Sequence, residues 1–99
     1  MKQGSRLKTI LSIVVATKNR YCYLEFLVKY FHSISSSEIE LVLHDNSDLG
    51  ANKDFVNFLG SINDPRIKYY YHEESVSQTE NCDYAVSKAL GEYVTMLGD

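Results

Sequence analysis

Short, nearly unbroken apolar runs recur along this chain and predict four β-strands. The clearest run covers residues 10–16 and is rich in β-branched side chains, which is typical of a strand buried on both faces of a parallel sheet. Residues 39–44, 67–72 and 92–97 give the second, third and fourth strands. The third run carries a lysine among its tyrosines, so we expect it to be a more exposed strand at the sheet edge.

Between these runs, apolar residues recur at helical spacing and predict three amphipathic helices. The three apolar stripes consist of Leu24, Leu27, Val28, Phe31 and Ile34; of Phe55, Phe58, Leu59 and Ile62; and of Cys82, Ala85, Val86, Ala89 and Leu90. The Asn-Asp-Pro sequence at residues 63–65 ends the second helix. Ser77 and Glu80 have the spacing of a capping box and begin the third helix, and Gly91 supplies its stop.

The predicted order of elements is therefore βαβαβαβ with short connections. This order favours a Rossmann-like, three-layer α/β/α fold, in which a mainly parallel sheet has helices on both faces. We expect one domain in residues 9–99 with strand order 3-2-1-4, preceded by a flexible polar segment in residues 1–8. In open sheets of this kind, ligands bind outside the carboxyl ends of the strands, near the point where strand order reverses.

Composition narrows the classes of function. The 99 residues suffice for one domain, and a net charge of −3 disfavours a nucleic-acid partner. Cys22 and Cys82 lie far apart without metal-binding spacing, so we expect reduced, mostly buried thiols. The apolar run at residues 10–16 is too short to cross a bilayer and precedes no cleavage signal, which favours a cytoplasmic protein.

Polar clusters follow three of the predicted strands, at residues 17–20, 45–48 and 98–99. The carboxyl ends of parallel strands share one edge of a sheet, so we expect the three clusters to face the same crevice. Asp45 could accept a hydrogen bond from a ribose hydroxyl or from the N–H of a base, and a purely local Asx turn is an equally good interpretation. Arg20 could pair with a diphosphate, although a solvent-facing arginine is slightly favoured.

Glycine-rich phosphate loops are missing from the sequence. Residues 17–20 contain no glycine, and the chain has neither the GxGxxG pattern nor a P-loop, which argues against dinucleotide-dependent redox enzymes and P-loop ATPases. A nucleotide could still bind if a divalent cation neutralised its phosphates, which requires a carboxylate at the crevice, and Asp99 is the candidate. His32, His44 and His72 are dispersed, which indicates structural or surface roles.

Three stretches in this order resemble the amino-terminal half of family 2 glycosyltransferases, which have the GT-A nucleotide-diphospho-sugar transferase fold. They are residues 11–20 (LSIVVATKNR), 40–47 (ELVLHDNS) and 89–99 (ALGEYVTMLGD). Each motif is loose by itself, but the ordered set, with Ala-x-Gly-Glu-Tyr leading into an aspartate, is fairly specific. The resemblance covers most of the chain and implies the donor-binding half of a glycosyltransferase domain.

The resemblance also implies roles for particular residues. Contacts to the donor nucleotide would come from Ala16 (through its backbone), Thr17, Lys18, Asp45, Asn81 and Asp99, in addition to the candidate Arg20 named above. The first motif lines the base in that family, and Asp45 would read the base or the ribose. Asn81 matches an asparagine that is frequent near the donor. Asp99 would begin an Asp-any-Asp cluster and contact the ribose or a Mg²⁺ or Mn²⁺ ion on the diphosphate.

Three departures from the family pattern stand out. Lys18 occupies a position that is often aromatic in the family, and residues 73–77 lack the glycine that is common before the third helix. The remainder of the Asp-any-Asp cluster, the acceptor-binding half and the catalytic base are absent from these 99 residues. We therefore expect residues 1–99 by themselves to be inactive or nearly so.

The function implied by the resemblance lies in polysaccharide biosynthesis. The parent protein would transfer a sugar from a nucleotide-diphosphate sugar, with a UDP-sugar favoured, to a hydroxyl of a saccharide or lipid-linked acceptor. We expect it in the cytoplasm, at the inner face of the membrane. An unpaired fourth strand would expose a sheet edge through which copies of the chain could self-associate into a homo-oligomer.

Two other classes of function stay open at this point. A flavodoxin-like interaction or signalling module without nucleotide would use Asp45 and Asp99 only in turns and caps. A nucleotidyltransferase ranks lowest, because its glycine-rich, basic loop after the first strand is missing here.

Overall fold

Four strands alternate with three helices in the computed structural model, which describes residues 9–98. The strands are β1 (Leu11–Thr17), β2 (Ile39–Asp45), β3 (Ile67–Tyr71) and β4 (Tyr93–Met96), and the helices are α1 (Tyr21–His32), α2 (Lys53–Ile62) and α3 (Gln78–Ser87). This alternation confirms the predicted βαβαβαβ order. The predicted flexible segment at residues 1–8 and the candidate ligand Asp99 lie outside the described residues.

The four strands run parallel in one sheet with the order β3-β2-β1-β4. This order confirms the predicted 3-2-1-4 topology and the Rossmann-like α/β fold. β1 is central because both of its faces are apolar, and Val14 and Val15 are fully buried on opposite faces. The pairing of β1 with β2 runs from Leu11 to Thr17, and Thr17 lies beside Asp45 at the carboxyl end. The two strands therefore end at the same level.

Hydrophobic cores on the two faces of the sheet give the fold three layers. α1 and α2 cover a core whose buried members are Val15, Leu24, Leu27, Val28, Phe31, Leu41, Leu43 and Phe55. α3 covers a smaller core of Val14, Ala16, Val42 and Ala85. A fully buried large apolar side chain stabilises the fold by roughly 1.5–3 kcal/mol, so the face under α1 and α2 contributes most of the hydrophobic stability.

The ends of α2 and α3 follow local sequence signals. The hydroxyl of Ser77 accepts from the N–H of Glu80 at 3.1 Å, and the Glu80 carboxylate accepts from the N–H of Ser77 at 3.0 Å, which confirms the predicted capping box. Asn52 caps α2 by accepting from the N–H of Phe55. Asn63 ends α2 in the left-handed region with φ of 53°, a conformation that asparagine adopts more readily than most residues.

The apolar stripes of α1 and α3 are shorter than the sequence predicts. Ile34 lies beyond the end of α1. Val86 is 40% exposed and Leu90 is 69% exposed, so neither belongs to an inner stripe of α3. The buried positions of α3 are Asn81 and Ala85, and this ten-residue helix packs mainly on β1 and β2.

Both cysteines are free, and they differ in exposure. Cys22, in the first turn of α1, is exposed, whereas Cys82 is half-buried. The prediction of mostly buried thiols is therefore wrong for Cys22.

Gly91 does not end α3, which corrects its predicted role as the stop. It packs against β1 instead, and its N–H donates to the Ser12 hydroxyl at 2.8 Å. A Cβ at this position would lie 2.8 Å from the backbone nitrogen of Ser12 and 3.0 Å from the carbonyl oxygen of Ile10. Glycine is required because the backbones approach too closely for any side chain.

A buried carboxylate stabilises the amino end of the sheet. Glu40 on β2 is 1% exposed; it accepts from Lys68 Nζ at 2.8 Å, from the N–H of Leu90 at 2.6 Å and from the hydroxyl of Ser12. These bonds join β1, β3 and the segment between α3 and β4. Burial raises the pKa of Glu40, but the hydrogen bonds from Lys68, Ser12 and Leu90 outweigh it and hold the pKa below its usual value.

Replacing Gly91 by alanine should destabilise the protein, because the new methyl group meets backbone atoms that cannot move aside. We expect a loss of about 1–3 kcal/mol in the free energy of unfolding, the usual cost of overpacking. Gly60 is the matched control: it lies inside α2 with no atom within 4 Å of a built Cβ. Gly60→Ala should raise stability by about 0.5–1 kcal/mol through helix propensity. Urea unfolding measures both, and equal effects of the two substitutions would contradict the close approach at Gly91.

Replacing Glu40 by glutamine should lower the free energy of unfolding at neutral pH by about 2–3 kcal/mol, since a buried charge-assisted network loses its acceptor. The pKa of Glu40 is depressed in the folded state, so its contribution is present above the ordinary carboxylate value of 4.5 and is lost as pH falls through the folded pKa. The wild type should therefore lose more stability on acidification than the Glu40→Gln variant does.

Urea unfolding at neutral pH and at about pH 3 tests this pH dependence. Glu73→Gln, at an exposed position in the loop before α3, is the control and should behave like the wild type at both pH values. Equal losses of unfolding free energy on acidification in the wild type and in Glu40→Gln would rule out the proposed contribution of Glu40.

Candidate functional site

The loops that follow β1 and β2 meet at the carboxyl edge of the sheet. The N–H of Asn46 donates to the carbonyl of Thr17 at 2.9 Å, which carries the pairing of the two strands into the loops. The structure thus brings together two of the three predicted clusters, residues 17–20 and 45–48. Of the third cluster it describes Gly98, whose carbonyl accepts from the hydroxyl of Tyr23 at 2.9 Å, while Asp99 lies outside the described residues.

Asn19 links the two loops. Its φ of 59° places it in the left-handed region, and its N–H donates to the Ser47 hydroxyl at 2.7 Å. Its side-chain amide donates to the Asp48 carboxylate at 3.0 Å and accepts from the N–H of Asp48 at 3.2 Å. Lys18 forms an ion pair with Asp48 at 3.3 Å. The hydrogen bond from Asn19, followed by the bond and charge of Lys18, lowers the pKa of Asp48.

Asp45 is completely buried and its carboxylate receives four hydrogen bonds. Oδ1 accepts from the N–H of Ser47 at 2.9 Å and from the Ser47 hydroxyl, so the Asx turn expected as one interpretation is present. Oδ2 accepts from the hydroxyls of Tyr21 and Tyr69, each at 2.6 Å. Burial, followed by these bonds to Asp45, raises the pKa of both tyrosines, which keeps them protonated as donors.

An open cavity of about 360 Å³ lies beside this carboxylate, within the size range of small-molecule sites. Its lining residues are Asn19, Tyr21, Ser47, Leu49, Gly50 and Asn52. Tyr21 and Ser47 are also hydrogen-bonded to Asp45, so they form the wall between the cavity and the buried carboxylate. Leu49 is 99% exposed at the mouth, and Gly50 has φ of 87°, which favours glycine.

Arg20 lines a second cleft that adjoins the first. This cleft, of about 460 Å³, shares Asn19 and Tyr21 with the cavity and extends over Cys22 and Tyr23. Arg20 is exposed, occupies the N-cap position of α1 and makes no side-chain capping bond. It is solvent-facing, as one of its two sequence interpretations proposes, and it also reaches the rim of the candidate site.

The remaining predicted donor contacts lie beneath the rim. Ala16 and Thr17 are buried at the end of β1, and the Thr17 hydroxyl has no hydrogen-bond partner among residues 9–98. Asn81, on α3, is 2% exposed. Its side chain bonds His44 Nδ1 at 2.8 Å and the carbonyl of Thr17 at 3.3 Å. Asn81 therefore holds α3 against the ends of β1 and β2.

His44 and His72 are not dispersed as the sequence suggested, because their ring centroids lie 6.0 Å apart. His44 is buried and stacks with Tyr84 at a centroid distance of 5.7 Å, and His72 stacks on the same ring at 4.6 Å. Burial lowers the pKa of His44. His32 Nδ1 lies 2.9 Å from the carboxylate of Asp64. Across residues 9–98, no three histidine, cysteine, aspartate or glutamate side chains cluster closely enough to hold a metal ion.

Sequence reasoning missed four of the six residues that line the cavity; the other two, Asn19 and Ser47, belong to the predicted clusters. Tyr21, Leu49, Gly50 and Asn52 carry no motif of their own, because each belongs to a loop or to a helix start. One signal was available: Tyr21 begins the helix directly after the β1 loop, so its side chain had to lie near the carboxyl edge.

Comparison with known proteins shows the family to which this chain belongs. Residues 12–99 match the family described as glycosyl transferase family 2. A similar protein is the GalNAc(5)-diNAcBac-PP-undecaprenol beta-1,3-glucosyltransferase of Campylobacter jejuni, which is 30% identical over 90 residues. That alignment covers 90% of this chain and 29% of the relative, so the chain spans less than a third of the relative's length. Because the family match takes in all but the first eleven residues, this chain belongs to glycosyl transferase family 2.

Proposed function

We propose that residues 9–99 are the donor-binding half of a glycosyltransferase and that the cavity beside Asp45 binds the nucleotide of a UDP-sugar. The position of the cavity carries this proposal: it lies just outside the carboxyl ends of β1 and β2, where open α/β sheets bind ligands. Family membership supports sugar transfer as the reaction.

The charges at the rim support a division of the site into two parts. The apolar and amide groups of the cavity suit a nucleobase. Two cations lie on the exposed loop beside it: Arg20, and Lys18, which is paired with Asp48. We propose that these two side chains face the diphosphate. The backbone of Ala16 and the side chain of Thr17 form the floor, Asn81 positions that floor, and Asp45 contacts the base or ribose.

A divalent cation, Mg²⁺ or Mn²⁺, would neutralise the diphosphate in such a site. The described residues do not by themselves form a metal site. Asp99, which lies outside them, is the proposed carboxylate ligand, and further ligands would have to come from elsewhere.

We propose that the acceptor is a hydroxyl of a saccharide or of a lipid-linked substrate, met by the parent protein at the inner face of the membrane. The name of the Campylobacter jejuni relative includes an undecaprenol-linked saccharide, which supports this class. No helix within residues 9–98 has both the length and the hydrophobicity needed to cross a bilayer. On this proposal residues 1–99 bind the donor but transfer no sugar.

One observation favours a second candidate function, an interaction module without nucleotide. All four hydrogen bonds to the Asp45 carboxylate come from within the fold, as expected if this residue serves only the turn and its neighbours. The two candidates differ in whether UDP binds at the carboxyl edge.

Calorimetric titration of UDP, with and without Mn²⁺, should give saturable heat with residues 1–99. Leu49→Glu should weaken binding by about tenfold, because it puts a negative charge and a polar group at the mouth of the cavity. Leu90→Glu is the matched control: Leu90 is also exposed but lies at the opposite end of the sheet, next to the start of β4. It should bind UDP like the wild type.

Absence of UDP binding by the wild type would overturn the donor site and favour the interaction module. Equal weakening by Leu49→Glu and Leu90→Glu would place the binding elsewhere. Robust sugar transfer by the same preparation to any acceptor would contradict the division of donor binding and catalysis between this segment and the rest of the parent protein.

We also propose that residues 1–99 self-associate through the exposed edge of β4. Within residues 9–98 this strand pairs only with β1, and Val94 and Met96 are 43% and 44% exposed. Size-exclusion chromatography with light scattering should show dimers or larger species at high concentration. Val94→Lys should shift them to monomer, because a charged edge strand resists pairing, whereas Val56→Lys, at a position 44% exposed on α2, should not. A monomeric wild type at high concentration would refute the proposal.

A further inference from the structure

We infer that the Tyr21 hydroxyl is a specificity gate. In this structure it donates to a lone pair on Asp45, and an N–H of the donor base takes its place on that lone pair when the nucleotide binds. This inference rests on the proposed function. It assigns Tyr21 a role in selecting the base, and it follows from how the hydrogen bonds around Asp45 are distributed.

The Asp45 carboxylate has no acceptor capacity left for a ligand in this structure. Oδ1 is engaged by the N–H and hydroxyl of Ser47. Oδ2 is engaged by the hydroxyls of Tyr21 and Tyr69. Each carboxylate oxygen offers about two lone pairs, so a base can reach Asp45 only by replacing one of these donors.

Tyr21 is the donor that can leave. Its side chain lines the cavity, and its hydroxyl already lies 3.2 Å from the carbonyl oxygen of Gly50, which provides a second acceptor. A small movement of the hydroxyl towards Gly50 exchanges one bond for the other. The Tyr21 ring can stay against Phe55, 5.4 Å away between centroids, while Oδ2 opens towards the cavity.

Tyr69 lies on β3, away from the cavity. It lines neither cleft, and its ring packs edge-on against Phe55 at 5.4 Å. Its hydroxyl donates to Asp45 Oδ2 at 2.6 Å and lies beside the Tyr21 hydroxyl. Because Tyr69 lines neither cleft, the position that its hydroxyl would vacate is not open to a base in the cavity.

The exchange favours bases that carry a ring N–H. A carboxylate only accepts hydrogen bonds, so a bond from the N3–H of uracil can replace the bond from the Tyr21 hydroxyl. Cytosine presents a lone pair at the same ring position, which the carboxylate repels. Binding of UDP therefore competes with the Tyr21 hydroxyl, whereas binding of CDP gains nothing when that hydroxyl is removed.

Titration of UDP and CDP into the wild type, Tyr21→Phe and Tyr69→Phe tests this gate. Tyr21→Phe should bind UDP about fivefold to tenfold more tightly than the wild type, because the base no longer displaces a hydrogen bond. Its affinity for CDP should not change. Tyr69→Phe removes the same kind of hydroxyl from the same carboxylate oxygen and should show no gain for UDP, so it is the matched control.

A second measurement uses the wild type alone, in case Tyr21→Phe is poorly folded. In protein with ¹³C-labelled tyrosine, saturating UDP should shift the ring Cζ resonance of Tyr21 and leave that of Tyr69 nearly unchanged. Unchanged or weaker UDP binding by Tyr21→Phe, an equal gain for CDP, or a Cζ shift at Tyr69 rather than Tyr21 would overturn the gate. A wild type that binds no UDP would overturn the gate together with the donor site, whereas normal UDP binding without the Tyr21 effect would overturn the gate alone.

Discussion

The Asp45 carboxylate is the interaction on which the carboxyl edge of this fold depends. Its four hydrogen bonds come from its own loop, from the start of α1 and from β3. α1 has no side-chain cap at its beginning, so the bond from Tyr21 to Asp45 does much to fix where the helix starts. The same bond makes Tyr21 a wall of the cavity. A buried carboxylate needs such partners, because an unpaired charge in a protein interior is strongly destabilising.

A second buried carboxylate serves the opposite end of the same strand, and the comparison explains why only one end forms a site. Glu40 and Asp45 lie on opposite faces of β2, since their separation is odd. Around Glu40 the chain closes completely: Lys68 and Leu90 donate to it, and Gly91 packs directly on β1. Around Asp45 the loops after β1 and β2 are joined through Asn19 but leave a cavity beside the carboxylate. Both carboxylates therefore stabilise the sheet, but only Asp45 lies beside space that a ligand can enter.

Local sequence signals predicted most of the fold and the edge at which the candidate site lies. The apolar run of β1, the capping box of Ser77 and Glu80, and the turn at Asn63 act over a few residues, so they could be identified without coordinates. The hydrogen bonds of Asp45 could not be identified in this way, because Tyr21 and Tyr69 are each 24 residues away along the chain. Those hydroxyls reach one carboxylate oxygen only because β3 pairs in parallel with β2 and because α1 begins beside the carboxyl end of β2.

The errors have a similar physical origin. Gly91 follows the last apolar residues of the third stripe and was expected to end α3, but the helix already stops at Ser87 and Gly91 is needed for contact with Ser12. Leu90 was expected inside because apolar spacing alone does not reveal where a helix ends. The family assignment was less sensitive to these errors, since it depends on three ordered stretches and is confirmed by the match over residues 12–99.

The central claim is that the cavity between the loops after β1 and β2 is the nucleotide site. Two-dimensional ¹H–¹⁵N NMR of residues 1–99 during a UDP titration tests it most directly, because it locates binding residue by residue. The account predicts saturable shifts of the backbone amides of Asn19, Ser47, Leu49 and Gly50, with the amides of β4 nearly unaffected. Shifts confined to β4 and the outer faces of the helices, or no shifts at millimolar UDP, would contradict it.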